Sequence, residues 1–478
     1  MLMGIRTAIR RSTNPSAPAP LLASRGSASG WSIRGGGFRN CNLAVVVLLS
    51  VLSACGSGAS HDSGVRPITI LHTNDLHARF LPDSEGRGGF AYVAAAIQQE
   101  KAKSPESTIV LHAGDFVQGT PVSSIFEGLP VWEVANHLGI DVNTLGNHEF
   151  DYGWRKIREF LAKAEFPTVT ANLVDGDGQL MTDEPYVIRE VNGVRVAIIG
   201  ALTASLPGLT KTEYRGPWRT LPVAETVQRY AAELQHEVDL VVVLSHTFDD
   251  EDDEVLAKAP DVDVVIAGHN HGGQDEVKDH DGRPCVKVQA YGRELGKLKL
   301  NVDTANDRVV SYEWERIPIT TSAYEPDATV AKLVDEWESK VAEIVDVPIG
   351  RSARRLGGNE LQPLIEKVMR QATGADIAYM NRGGIRDRLP QGEIQARHVW
   401  NILPFGNTIY VGRVKGNALP KELRDGRSIN PRKEYVVATN SFIGDRWVER
   451  GLRFEDQGTL VRDAVIDWVK RERVVGDH

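Results

Sequence analysis

From residue 67 onward the chain repeats one arrangement: a short apolar run of β-type residues, then a group of polar residues. The runs are Ile68–Leu71, Thr108–Leu111, Val142–Leu145, Leu240–Leu244 and Val262–Ala267. Their length and composition predict strands. Between them, the stretches 89–103, 153–164 and 222–237 place apolar residues at helical spacing and predict helices. Strands alternating with helices predict an α/β domain. In such sheets, ligand sites gather beyond the carboxyl ends of the strands.

The polar groups at these strand ends are rich in imidazole and carboxylate. They are His72-Thr73-Asn74-Asp75-Leu76-His77, His112-Ala113-Gly114-Asp115, Gly146-Asn147-His148-Glu149-Phe150-Asp151, Ser245-His246 and Gly268-His269-Asn270-His271. Nitrogen and oxygen donors without thiolate suit Zn²⁺, Mn²⁺ or a similar divalent ion. A carboxylate shared between two such ions would build a hydrolytic two-metal site. A single histidine is most often a packed or surface residue. His72 and His112, just inside strand ends, are read as structural, and His61, His137, His236, His280, His398 and His478 have no motif around them. Five donor groups at five strand ends are a different matter, because chance does not repeat them.

Composition changes the picture at the amino terminus. With 478 residues, 41% hydrophobic and 25% charged, the chain exceeds the roughly 250–300 residues at which a single core stops growing, so two domains are expected. Net charge is −9, yet residues 1–54 hold six arginines and no acid. Setting those six aside from the 55 basic residues leaves 49 against 64 acidic ones. So acidic a body argues against a nucleic acid polymer as partner. A small phosphorylated ligand, held by a metal or a local cation cluster, is not excluded. The three cysteines, Cys41, Cys55 and Cys285, build no disulfide framework.

The apolar run 43–54 is shorter than the about 20 residues of a membrane-spanning helix. With Arg34 and Arg39 before it, it reads as a secretory signal. Its end, Leu52-Ser53-Ala54-Cys55, resembles the bacterial lipobox. That resemblance implies acylation at Cys55, removal of residues 1–54, and an exported protein held to the cell envelope, periplasmic or on the outer surface, by a lipid anchor. Residues 55–66 then read as a tether.

Taken in order, Asp75-x-His77, Gly114-Asp115, Gly146-Asn147-His148-Glu149-x-Asp151, His246 and Gly268-His269-x-His271 resemble the calcineurin-like metallophosphoesterases. More narrowly, Leu71–His77 and Asn147–Asp151 are similar to the 5′-nucleotidase family, which includes UDP-sugar hydrolases. The resemblance runs from about residue 67 to about 470. It implies a four-layer α/β/β/α sandwich followed by a smaller α/β substrate-binding domain. It also implies two divalent metal ions, one held by Asp75, His77, Asp115 and His271, the other by Asp115, Asn147, His246 and His269. His148 would be the catalytic histidine, oriented by Asp151, with Glu149 supporting rather than ligating.

The second half carries Asn381-Arg382-Gly383-Gly384-Ile385-Arg386 and Leu403-Pro404-Phe405-Gly406-Asn407, both similar to family sequences. The resemblance implies that Arg386 contacts the phosphate, Asn381 lies near the ribose or base, and Phe405 stacks on the base. Arg351, Arg354 and Arg355 fall where relatives place further phosphate-binding arginines. A departure occurs at Ser441-Phe442-Ile443-Gly444-Asp445-Arg446-Trp447, which is about two residues shorter than the family pattern and lacks its double glycine. Phe442 is the expected second half of a base clamp and Asp445 the expected ribose contact, with Arg446 and Trp447 able to alter the pocket. A helix-like stretch from Asp327 to Val345 is expected to connect the halves, giving a catalytic domain over 67–320, a linker over 321–346 and a nucleotide-binding domain over 347–478.

The function expected is hydrolysis of nucleoside 5′-monophosphates, extending to UDP-sugars or nucleotide polyphosphates, with a small-molecule nucleotide as partner and no obligate protein partner evident. A 2′,3′-cyclic nucleotide phosphodiesterase would use the same metal site, and a thiosulfate-ester hydrolase a similar architecture. A non-catalytic lipoprotein that binds ligand is a further alternative, opposed by the intact His148, Asp151 and metal positions.

Overall fold

The computed structural model describes residues 64–476. The apolar run 43–54 and Cys55 lie outside the described residues. All five expected strands form, as Val65–Thr73, Thr108–His112, Val142–Thr144, Leu240–His246 and Val264–Ala267. The expected helices appear as Phe90–Lys101, Trp154–Lys163, Val223–Leu234 and Ala328–Val345.

The apolar runs are continuous because the strands are buried on both faces. In one six-stranded sheet, Val65–Thr73, Thr108–His112, Val142–Thr144 and Thr168–Val169 run parallel. Ile68, Ile70, Ile109, Leu111 and Val142 face inward, toward Val196, Ile198, Val242, Leu244, Val264 and Ile266 of a second six-stranded sheet. Leu71 and Val110 point the other way, into a cluster built with Val93, Ile97, Trp132, Ile157 and Phe160 from helices. On the far face of the second sheet, Ala197, Ile199, Val241, Val243 and Val265 pack on Val223, Val227, Leu234, Val255 and Leu256. Helix, sheet, sheet and helix therefore form four layers. In the second sheet Val194–Leu202, Leu240–His246 and Val264–Ala267 also run parallel, and the loops after both parallel sets meet at one end.

A long hairpin, Glu294–Asp303 with Arg308–Pro318, completes the first sheet by pairing antiparallel to Val65–Thr73. Its residues alternate between buried and exposed, with Leu298, Leu300 and Val302 inward. That half-polar pattern made it less visible in the sequence than the fully buried strands.

Helix Ala328–Val345 starts at Asp327, whose side chain accepts a hydrogen bond from the Val330 amide. It buries Val330, Val334, Val341 and Val345 in the cluster of the first sheet. Arg397, on helix Ala396–Ile402, reaches back to it and pairs with Glu338 at 2.5 Å and Asp346 at 2.5 Å. Beyond it, a four-stranded sheet runs Ile377–Tyr379, Glu434–Asn440, Thr408–Lys415, Phe454–Leu460. Helices Gly358–Thr373 and Val461–Glu472 cover it through Ile365, Val368, Val465 and Trp468. Among the described residues no helix is long and apolar enough to cross a membrane.

Candidate metal centre and adjoining cavity

Three loops of the first sheet and two of the second converge at the carboxyl ends of their strands. They bring together donor atoms of Asp75, His77, Asp115 and His271, all within 4.8 Å of one another, and a second set of Asp115, His246 and His269. Asn147 joins the second set, its Oδ1 lying 3.3 Å from His246 Nε2. Asp115 belongs to both sets. The centre is thus seven side chains from five loops, six of them acids or imidazoles.

The backbone is forced to make this convergence. Asp75, His77, Asp115, His269 and His271 all have positive φ, between 46° and 71°. Non-glycine residues rarely adopt that region, and they do so mainly where surrounding structure imposes it. Packing next to the ligands supplies the constraint. Phe116, directly after Asp115, is fully buried and lies against His112 at 3.9 Å and Trp132 at 5.2 Å between ring centres. Burial of such a ring contributes roughly 1.5–3 kcal/mol. Two glycines leave room for the ligands: a Cβ at Gly146 would collide with the Asp115 carboxylate, and one at Gly114 with the His246 ring.

Hydrogen bonds orient the donors. His77 Nδ1 faces the Val117 carbonyl at 3.2 Å and His246 Nδ1 the Ala113 carbonyl at 2.7 Å, so each Nε2 points inward. Asp75 Oδ2 accepts from the His269 amide at 2.9 Å, while its Oδ1 is buried with no hydrogen-bond partner. A buried carboxylate oxygen without a donor is costly unless a cation meets it. The side chains therefore fit divalent ions by donor type, orientation and unmet charge.

Protonation agrees. Burial holds the His269 and His271 imidazoles down near 3, with neighbouring cationic groups adding to it. They are neutral at ordinary pH, which is the ligating form. Burial pulls His246 the same way, but the Asp115 carboxylate outweighs it and lifts this imidazole to about 10. A proton and a metal cation therefore compete for His246 Nε2, which lies 3.1 Å from Asp115 Oδ2.

Glu149 has a structural task that the sequence hinted at only as support. Fully buried, it accepts hydrogen bonds from the amides of Gly146 (2.7 Å) and Phe116 (2.9 Å), so one carboxylate ties the loop of Asp115 to that of Asn147. Sequence reasoning missed two other residues. Gln118 is buried on the cavity wall with both amide atoms unpartnered. Lys211 comes from the loop after strand Val194–Leu202 and reaches Ser441 Oγ at 3.1 Å. The Gly-Asp-x-x-Gln spacing was a signal for the first, and none existed for the second.

His148 stands at the edge of the donor set. Its amide donates to Asp115 Oδ1 at 2.9 Å and its Nδ1 lies 2.8 Å from Asp151 Oδ2, and the residue lines the adjoining cavity. Burial lowers the imidazole pKa, but the Asp151 and Asp115 carboxylates overcome this and hold it above its ordinary value. His72 and His112 stay outside the centre, as read from the sequence: His72 stacks on Trp314, and His112 Nδ1 meets Thr73 Oγ1.

A cavity of about 650 Å³ opens beside the donors, and residues from the second half close it: Asn381, Arg386, Phe405, Phe442 and Arg446. Arg386 Nη2 lies 3.5 Å from His271 Nε2, and its Nε is buried without a partner. The Phe405 ring is 5.9 Å from the His148 ring and 5.9 Å from the Arg386 guanidinium. The Asn381 side chain is held by Asn440 Nδ2 at 2.8 Å.

Other residues expected at the substrate lie away from this cavity. Asp445 is not on the cavity wall. Ser441–Glu449 forms a helix capped by Asn440, and it turns the Asp445 carboxylate to Lys211, 3.6 Å away. Trp447, on the same helix, is buried in the hydrophobic cluster and does not shape the pocket. Arg351 lies exposed on strand Pro348–Ser352 and Arg354 pairs with Glu360, so neither lines the cavity. Arg355 lines a neighbouring cavity that shares Arg386 with the first.

Comparison with known proteins follows the same division. The family described as calcineurin-like phosphoesterase matches residues 68–273, and the family described as 5′-nucleotidase, C-terminal domain matches residues 340–425. Endonuclease YhcR of Bacillus subtilis is 28% identical over 84% of this chain, which spans 38% of that protein's length. A 5′-nucleotidase of Vibrio cholerae is 27% identical over 72% of each chain. The crystal structure of a 5′-nucleotidase precursor from Thermus thermophilus superposes with a TM-score of 0.78, covering 86% of this chain and 97% of that one at 24% identity. The last likeness is one of fold.

Two outcomes are expected of the His148–Asp151 pair. His148→Ala should lower kcat by about 10²–10⁴-fold while metal content, measured by elemental analysis, stays at the wild-type level; unchanged turnover would remove His148 from the chemistry. Asp151→Asn removes a carboxylate that raises the His148 pKa, so the alkaline limb of the kcat/KM profile should move to lower pH. A limb that stays in place would show that Asp151 does not tune the imidazole.

Proposed function

We propose that this chain, a metal-dependent phosphoester hydrolase belonging to the calcineurin-like metallophosphoesterases with a 5′-nucleotidase C-terminal domain, acts on nucleoside 5′-phosphates. One observation carries the reading: Phe405 and Arg386 from the second half stand over the same cavity as His148 and the Asp–His donors. A flat aromatic wall beside a phosphate-handling centre suits a phosphate attached to a base.

Two divalent cations, Zn²⁺, Mn²⁺ or similar, would be held here, one by Asp75, His77, Asp115 and His271 and the other by Asp115, Asn147, His246 and His269. When bound, such ions polarise phosphoryl oxygens and make a nucleophile available at neutral pH. The protein's own groups do the rest. Arg386 offers a forked donor to the non-bridging phosphate oxygens. Protonated His148, steadied by Asp151, has Nε2 free to donate to charge developing on a phosphate or leaving oxygen. Phe405 stacks on the base, with Phe442 on the same cavity wall as its partner, and Asn381 meets the nucleoside. Residues 67–320 act as the catalytic domain, 321–346 as linker and 347–478 as the substrate domain.

The leader adds a location. Residues 1–54 are an export signal and Cys55 carries a lipid that holds the mature protein to the envelope. Supporting this are the twelve-residue apolar run and the Leu52-Ser53-Ala54-Cys55 sequence that ends it.

Phe405→Ala should reduce kcat/KM for AMP by roughly tenfold to a hundredfold, the equivalent of ~1–3 kcal/mol of stacking, and that for 4-nitrophenyl phosphate far less. Equal losses on both would contradict base stacking. Cys55→Ser should abolish incorporation of a labelled fatty acid in the producing cell, and persistent labelling would dismiss the lipid anchor.

A further inference from the structure

The helix Ser441–Glu449 presents two side chains, one turn apart, to the cavity: Phe442 and Arg446. The Arg446 guanidinium lies 4.1 Å from the centre of the Phe442 ring. It is half-buried, and among the described residues no carboxylate lies within ion-pair distance of it. The adjacent acid that could have neutralised it, Asp445, is engaged elsewhere. Lys211 holds that carboxylate at 3.6 Å while also donating to Ser441 Oγ at 3.1 Å. Lys211 comes from a loop some 230 positions earlier in the chain, so the pairing is a product of the tertiary fold.

The result is a cation in a partly desolvated wall that forms no ion pair among the described residues. Burial first, then Arg450 nearby, pull the Arg446 pKa below its ordinary value, with Glu449 opposing them in part. A neutral acceptor such as a base carbonyl would meet some of its N–H groups and leave the charge. An anion would meet both. The second arginine near this wall, Arg462, has no such freedom: it lies over the Trp400 ring at 3.4 Å and points to the Leu403 and Pro404 carbonyls, supporting the segment that carries Phe405.

Resting on the nucleotide reading above, we propose that Arg446 forms a second anion subsite and that the preferred substrates are nucleotides bearing a further phosphate on the ribose. A 5′-phosphate chain would extend from the Arg386 end of the cavity. An anion beside Phe442 must instead hang from the nucleoside itself, which places it on the sugar. The reaction is the same hydrolysis. The bond from phosphorus to the 5′ oxygen breaks, water supplies the oxygen that joins phosphorus, and the departing 5′ oxygen gains a proton. From adenosine 3′,5′-bisphosphate the products are inorganic phosphate and adenosine 3′-phosphate.

The test is kcat/KM of the metal-loaded protein for adenosine 3′,5′-bisphosphate, AMP, GMP and 4-nitrophenyl phosphate, with wild type, Arg446→Ala and Arg446→Lys. The bisphosphate should exceed AMP in the wild type. The bisphosphate-to-AMP ratio should fall by roughly tenfold in Arg446→Ala and largely recover in Arg446→Lys, which keeps the charge. A ratio that does not respond to either substitution, while AMP is still hydrolysed, overturns the subsite and leaves the nucleotide reading standing. A loss on GMP as large as that on the bisphosphate also overturns it, since Arg446 would then read the base edge. If only 4-nitrophenyl phosphate is hydrolysed, both readings fall.

Discussion

The Asp115 carboxylate is the group on which the rest of the site depends. It is buried, and it sits 3.1 Å from His246 Nε2 and 3.8 Å from His77 Nε2. A charge removed from water in this way must be met by positive charge and by hydrogen bonds. The loops are arranged to do so: the His148 amide donates to Asp115 Oδ1, the imidazoles close in on Oδ2, and Glu149 clamps the two loops from behind. Left-handed backbone at Asp115 and four other donor residues, and glycines on either side, are what this convergence costs. The packed Phe116, Trp132 and Phe160 rings supply the rigidity that holds those conformations.

From that centre the labour divides along the chain. The first half supplies every donor of the candidate metal centre together with His148 and Asp151, while the second half supplies the arginines and phenylalanines that line the rest of the cavity. Both halves are needed to enclose the cavity. Lys211 crosses in one direction to Ser441 and Asp445, and Arg386 in the other to His271. The candidate metal donors thus sit on rigid strand ends, whereas the rest of the cavity wall is held by contacts between distant segments.

That contrast explains what could be read from the amino-acid sequence. Strands such as Leu240–His246 are apolar throughout because both faces are buried, and their donors lie within a few residues of the strand end, so a local pattern shows both. The role of Glu149 depends on amides of a separate loop, and the partner of Asp445 next to Arg446 is Lys211, also from a distant loop. Neither relation has a local signature. The shortened segment after Asn440 was legible as a departure, but its consequence was not: it folds as a helix that buries Trp447, turns Asp445 aside and leaves Arg446 on the wall. The arginines 351, 354 and 355 could not be ranked by sequence because their separation depends on where strand Pro348–Ser352 ends.

The central claim is that one carboxylate is shared by two cations. Crystals grown with Mn²⁺ and measured by anomalous diffraction address it directly. Two anomalous peaks are expected, one on each side of Asp115, the first among Asp75, His77 and His271 and the second among Asn147, His246 and His269. A single peak, or peaks that do not share Asp115, would contradict it.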